Sequence, residues 1–200
     1  VPSAAPGGRN QIDAFIQAKL TEKGLTLSPE ADARTLCRRV YFDLTGLPPS
    51  PEELEAFVKE CGAGATVPGA YERLVDRLLA SPRYGERWAR HWLDVVHFGE
   101  THGYDKDQPR PNAWPYRDYV IRAFNADTPY DRFVAEQLAG DELFPESQEA
   151  LIATGYNRMW PDESNASNVL LARQSALNDH TGNLGAVFLG LSIGCAQCHD

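Results

Sequence analysis

Cys195-Ala196-Gln197-Cys198-His199 is the stretch whose residue types and spacing most directly specify chemistry. Two thiols three residues apart can each add across one vinyl group of a single porphyrin. The imidazole that follows can then ligate the iron. Cys-x-x-Cys-His is the attachment signature of haem c. With 4 cysteines and 5 histidines in 200 residues, chance supplies such a pentapeptide about 0.002 times per chain, so composition does not explain it. Three other readings use the same atoms: a redox dithiol, part of a zinc site, and a disulfide at a helix end. A redox dithiol normally sits beside a strand–helix–strand pattern, which is missing here. A structural zinc needs four ligands, and Cys195, Cys198 and His199 are three.

An iron held by His199 takes a sixth ligand or keeps that position open. Met159 is the single methionine, and a thioether opposite an imidazole raises the reduction potential. His102, in a long polar loop, is the second candidate. His97 stands one helical turn before that loop. His91 falls between two tryptophans and reads as a packing or hydrogen-bonded residue. His180 reads as the start of the last helical segment, which would put it about 20 Å from the motif by rise per residue. Cys37 and Cys61 fall on apolar helical faces and read as buried thiols; export would allow them to pair.

Other constellations are weaker. Asp94, Glu100, Asp105 and Asp107 surround the polar loop, and two carboxylates can do acid–base work on a glycoside. Arg73, Arg77, Arg83, Arg87 and Arg90 read as surface salt bridging, with Glu86 and Arg90 as an i, i+4 pair. No Gly-rich phosphate loop, Gly-x-Ser-x-Gly elbow or His-Glu-x-x-His motif occurs.

The elements that must position these groups are helical. Ser28-Pro29, Ser50-Pro51, Ser81-Pro82 and Thr128-Pro129 each precede a helical pattern. Ser or Thr can cap the N-terminus, and Pro fits the first turn. Ser50 with Glu53 forms a capping-box pattern. Apolar residues recur at i, i+3, i+4 in seven stretches. They are Ile12/Phe15/Ile16/Leu20, Leu36/Val40/Leu44, Leu54/Phe57/Val58/Cys61, Tyr71/Leu74/Val75/Leu78, Trp88/Trp92/Val95, Tyr116/Tyr119/Val120/Phe124 and Phe133/Val134/Gln137/Leu138. Trp88 and Trp92 read as core residues. An eighth apolar stretch, Leu184 to Ile193, is interspersed with glycine. Two-residue alternation is almost absent. These patterns predict an all-α single domain of about eight helices with long irregular loops. The longest loop, Gly99 to Ala113, is of the kind more often functional than idle. Residues 1–9 read as a linker and 10–200 as the helical domain.

Composition bounds the rest. The chain has 42% apolar and 24% charged residues, as an ordinary globular protein does. No apolar run is long enough to span a membrane. The net charge of −9 argues against nucleic acid or an anionic membrane as partner. Residues 101–200 hold 7 basic and 14 acidic side chains, so that half would attract basic partners. Val1 to Gly8 lacks the apolar core of a signal peptide, and the chain is expected to be a C-terminally truncated segment of a longer protein.

Long strings give a resemblance. Phe42-Asp43-Leu44-Thr45-Gly46-Leu47-Pro48-Pro49, Arg87-Trp88-Ala89-Arg90-His91-Trp92-Leu93-Asp94, Trp114-Pro115-Tyr116-Arg117-Asp118-Tyr119-Val120 and Gly194-Cys195-Ala196-Gln197-Cys198-His199-Asp200 resemble the planctomycete cytochrome-like helical domain, a family of unknown function. The resemblance implies an exported bacterial redox protein. It implies a neighbouring cytochrome c domain and a link to polysaccharide use. Only Cys195, Cys198 and His199 carry a chemical role across. The expectation is therefore an extracytoplasmic c-type haem protein. It would exchange electrons with a redox partner or neighbouring cytochrome domain and would not insert into a membrane. Two alternatives stand beside it. One is a non-haem glycan-active or metal-dependent enzyme using the loop from Glu100 to Asp107. The other is a helical docking module with a structural Cys-x-x-Cys-His.

Overall fold

The computed structural model describes residues 10–62, 69–163 and 166–198. The expected linker and His199 lie outside the described residues. The helices are α1 (Gln11–Glu22), α2 (Ala33–Thr45), α3 (Pro51–Cys61), α4 (Ala70–Leu79), α5 (Pro82–Val95), α6 (Trp114–Asn125), α7 (Tyr130–Leu143), α8 (Gln148–Ala153) and α9 (Val169–Leu184). Among the described residues there is no strand, only an isolated bridge between Thr101 and Pro109. The all-α expectation holds.

Two of the four capping steps work as read. The Ser50 hydroxyl accepts from the Glu53 N–H, and the Glu53 carboxylate accepts from the Ser50 N–H at 2.8 Å. Ser81 caps α5 through the N–H of Arg83. The other two steps are corrections. Asp32, rather than Ser28, opens α2, because its carboxylate accepts from both the N–H and the hydroxyl of Thr35. Pro129 is itself the extended residue before α7, so Thr128 stands one position too early and no side chain caps that end. The α8 and α9 starts, Ser147 and Asn168, cap without any proline.

The apolar faces bury into two clusters. Cys37, Val40, Tyr41, Phe57, Leu74 and Leu78 form the first, among α2, α3 and α4. Tyr116, Tyr119, Val120, Phe133 and Tyr156 form most of the second, with Ala89 and Val96 from α5 and its C-terminus. Each large apolar side chain buried this way contributes about 1.5–3 kcal/mol. α5 lies between the clusters, packed on both α2 and α6. It seats closely on α6 at Gly85: a Cβ there would fall 2.5 Å from the Ile121 carbonyl oxygen. The Gly85 N–H donates to Asn125 Oδ1 at 2.8 Å.

A polar centre sits inside the second cluster. Gln137 is fully buried. Its Oε1 accepts from Tyr116 Oη at 2.6 Å and Trp92 Nε1 at 2.9 Å, and its Nε2 donates to the Phe133 carbonyl at 3.0 Å. Burial pushes the Tyr116 phenol well above its ordinary range, so it stays a donor.

Three expectations about faces are corrected. Trp88 is exposed, while Trp92 packs against the core on Phe133 and Phe188. On α1 the stripe Ile12, Phe15, Ile16 points outward, and Ala14 and Gln17 are the buried residues. Glu86 pairs with Arg83 at 2.7 Å rather than with Arg90. No helix among the described residues is long and apolar enough to cross a membrane.

Candidate functional site

The motif is carried by a fold-back at the end of α9. After Leu184 the helix widens into a π turn, Gly185–Leu189, and Gly190 takes a left-handed φ of 64° that reverses the chain. The N–H of Leu191 returns to the Gly185 carbonyl at 3.0 Å. Ile193 packs where a side chain on residue 185 would stand: a Cβ at Gly185 would lie 2.6 Å from the Ile193 side chain. The two glycines thus make the reversal possible.

The returning chain forms a 3₁₀ turn, Gly194–Gln197, closed by the Cys198 N–H donating to the Cys195 carbonyl at 3.2 Å. Side chains three apart on a 3₁₀ turn eclipse one another. Both Cys195 and Cys198 are exposed thiols. Two accessible thiols three residues apart would suit addition to two vinyl groups of one macrocycle. Among the described residues no three His, Cys, Asp or Glu side chains form a metal-holding group.

Gly194 and Gln197 of this turn line a cavity of about 720 Å³. Val95, Val187 and Ile193 supply apolar walls, and His97, Asn178 and Asn183 supply polar ones. That volume lies within the range of small-molecule and cofactor sites. Asn183 fixes the walls relative to each other. It is buried, its Nδ2 donates to the Val95 carbonyl at 2.8 Å, and its Oδ1 accepts from Tyr156 Oη at 3.0 Å. So the helix that carries the motif is tied to the C-terminus of α5.

His102 and Met159 line a different cavity, of about 610 Å³, together with Arg110, Asn112, Tyr116 and Arg158. The described motif residues do not line it. The polar loop builds its rim and is internally braced. His102 N–H donates to Gln108 O at 2.8 Å and Arg110 N–H to Glu100 O at 2.7 Å. The guanidinium of Arg110 donates to Trp160 O at 2.7 Å, and Asp162 N–H donates to His102 O at 2.8 Å. His102 Nδ1 is buried and lies 3.5 Å from Asp162 Oδ2. The Arg158 guanidinium donates to the same carboxylate at 2.8 Å and holds the Asp162 carboxyl below its ordinary value. Two acidic residues of the loop act as ties: Glu100 pairs with Arg117 at 2.6 Å, and Asp107 Oδ1 accepts from the Gly103 N–H at 2.8 Å.

The other singled-out residues have structural places. His180 lies inside α9 rather than at a helix start, with its ring 5.3 Å from Tyr156 and 5.6 Å from Trp160. The chain after it folds back, so a continuous helix to the motif does not form. His91 packs on Trp88 at 5.3 Å. Cys37 and Cys61 are buried in the first cluster, and burial raises the Cys37 thiol pKa. Sequence reasoning did not single out Asn183 and gave His97 no role. The one signal for Asn183 is an amide within an otherwise apolar, Gly-rich run.

Residues 11–200 match the model of a family described as a protein of unknown function (DUF1549), PSCyt2. No curated protein and no solved structure matches the chain. The fold-back that presents Cys195 and Cys198, like the helices that support it, falls within the matched residues, and the chain belongs to this family of unknown function, DUF1549.

Proposed function

We propose that this chain is an exported c-type haem-binding domain with an electron-transfer role, of the cytochrome-like kind that its planctomycete resemblance suggests. One observation carries the reading. Cys195 and Cys198 are exposed thiols, one within a 3₁₀ turn and one at its C-terminal cap, and Gly194 and Gln197 of that turn line a cavity of about 720 Å³. Cys195 and Cys198 would hold the group through thioether bonds, and His199 would ligate its iron. Haem supplies one-electron transfer when bound. The chain's part is to present the two thiols, wall the group with Val95, Val187 and Ile193, and restrict water at that edge. Attachment of haem c sets an extracytoplasmic location. The acidic second half suits a redox partner or neighbouring cytochrome domain with a basic face, and a polysaccharide-using system is the biological setting proposed.

The test is a pyridine haemochrome assay on the chain exported from a host with haem c maturation machinery. A covalent haem signal that is lost in the Cys195→Ala/Cys198→Ala variant is the expected result. A folded, colourless product overturns the reading. In that case the non-haem glycan-active reading gains, because the second cavity is lined by His102, Arg110 and Arg158 together with Tyr116 and Met159.

A further inference from the structure

The cavity of about 610 Å³ is lined by two arginines, Arg110 and Arg158, and among its described lining residues there is no aspartate or glutamate. In a chain of net charge −9 such a lining runs against the bulk field. The fold holds both guanidiniums in place. Arg110 has five N–H donors, more than the Arg158 and Trp160 carbonyls that accept from it. Arg158 lies over the Trp160 ring, 4.9 Å from its centroid, and donates to Asp162 at 2.8 Å. Burial, and then the nearby Arg158 charge, lower the Arg110 pKa, yet a guanidinium stays charged at neutral pH. Two positive charges thus face one carboxylate, Asp162, and one of them is unmatched. Pro111, Leu151, Ile152 and Met159 give the same cavity an apolar wall. Ala113, at the start of α6, also lines it, and no side chain caps that helix end, so the helix dipole adds positive potential there.

We propose that this cavity binds a small organic acid with an apolar body, its single carboxylate on Arg110 and Arg158 and its body against Leu151, Ile152 and Met159. An arginine fork matches a carboxylate through two parallel hydrogen bonds. One unmatched positive charge calls for one negative charge, and a phosphate monoester, at about −1.5 to −2 at pH 7, overshoots it. The volume is that of a small-molecule site. The proposal is independent of the haem reading, because no described residue of the Cys-x-x-Cys-His motif lines this cavity.

The test is a ligand-observed NMR titration of the purified chain with benzoate, against benzamide, phenyl phosphate and glucuronate. Saturable benzoate binding is expected, tighter than that of the other three. Arg158 has a side chain more than half exposed, so Arg158→Gln is expected to fold and to weaken benzoate at least about tenfold. Leu151 is 59% exposed, so Leu151→Asp keeps the fold and sets a negative charge at the cavity. It is expected to weaken benzoate at least about threefold more than Leu151→Asn does. Far-UV circular dichroism checks that each variant is folded. Benzoate that shows no saturable binding, or that binds folded Arg158→Gln and Leu151→Asp as it binds wild type, overturns the site. Benzamide binding as tightly as benzoate overturns it too. Tighter binding of phenyl phosphate or of glucuronate overturns the assignment to an apolar monocarboxylate.

Discussion

Gln137→Leu is the change that most directly probes the buried polar centre. The substitution keeps the size and removes the amide. Tyr116 Oη then loses its acceptor at 2.6 Å, and with Tyr116 at 3% exposure no water replaces it. A buried donor left without a partner costs about 1–3 kcal/mol. Trp92 Nε1 loses its 2.9 Å bond and keeps only the longer 3.2 Å contact to Tyr116 Oη. Together these predict a loss of about 2–3 kcal/mol. Tyr116→Phe alone leaves Gln137 Oε1 still accepting from Trp92, so its cost is about 1 kcal/mol. In the double variant the orphaned hydroxyl no longer exists, and its penalty disappears. The double variant should therefore be more stable than the sum of the singles predicts, by about 1 kcal/mol or more. Urea unfolding followed by far-UV circular dichroism and tryptophan fluorescence measures all four proteins. Single and double losses that add within about 0.5 kcal/mol would refute the network argument.

Two further predictions concern packing and pH. Gly85→Ala places a Cβ against the Ile121 carbonyl and Asn125, forcing α5 from α6. Overpacking of this kind costs about 1–3 kcal/mol and outweighs the gain in helix propensity. Gly182→Ala, which meets nothing within 4 Å, is the matched control and should be neutral or stabilising by up to about 1 kcal/mol. Asp162 has its carboxyl lowered from 3.8, first by the hydrogen bond from Arg158. The unfolded chain therefore binds that proton more tightly. The stabilisation is complete above 3.8 and is lost as pH falls through the lower folded value. Asp162→Asn should be less stable than wild type at neutral pH, and the gap in urea midpoints should close in acid. A gap that persists unchanged below the carboxylate range contradicts the assignment.

Most of the fold is legible in the sequence because burial follows helical spacing. Val40, Phe57, Leu74, Tyr119 and Phe133 all sit where the i, i+3, i+4 pattern puts them. The misreadings have physical causes. α9 carries Val169, Leu170 and Leu171 exposed and buries Asn183, so it has no apolar stripe to read. α1 shows a stripe and turns it outward. Ser28 fails as a cap because Asp32 satisfies two donors. The Cys195 and Cys198 pair is legible because its spacing is local, within one pentapeptide. The cavity beside it is not. It depends on Gly190 reversing the chain and on Asn183 reaching 88 positions back to the Val95 carbonyl. Neither a spacing rule nor a motif encodes a contact of that separation.

The place of α5 between the two hydrophobic clusters has a consequence for how rigid the site is. Clusters of this size can open one at a time when only loops join them. Here a helix of the second cluster packs on α2 of the first. Gly85 and Ala89 seat it on one side, and on the other Arg87 lies over Gly46 at the end of α2. Displacing α5 from the second cluster would therefore also disturb its packing on α2, which couples fluctuations of the two regions. His97 and the Val95 carbonyl stand at the end of that helix. The cavity wall they form is therefore anchored through α5 to the second cluster and, by way of α2, to the first.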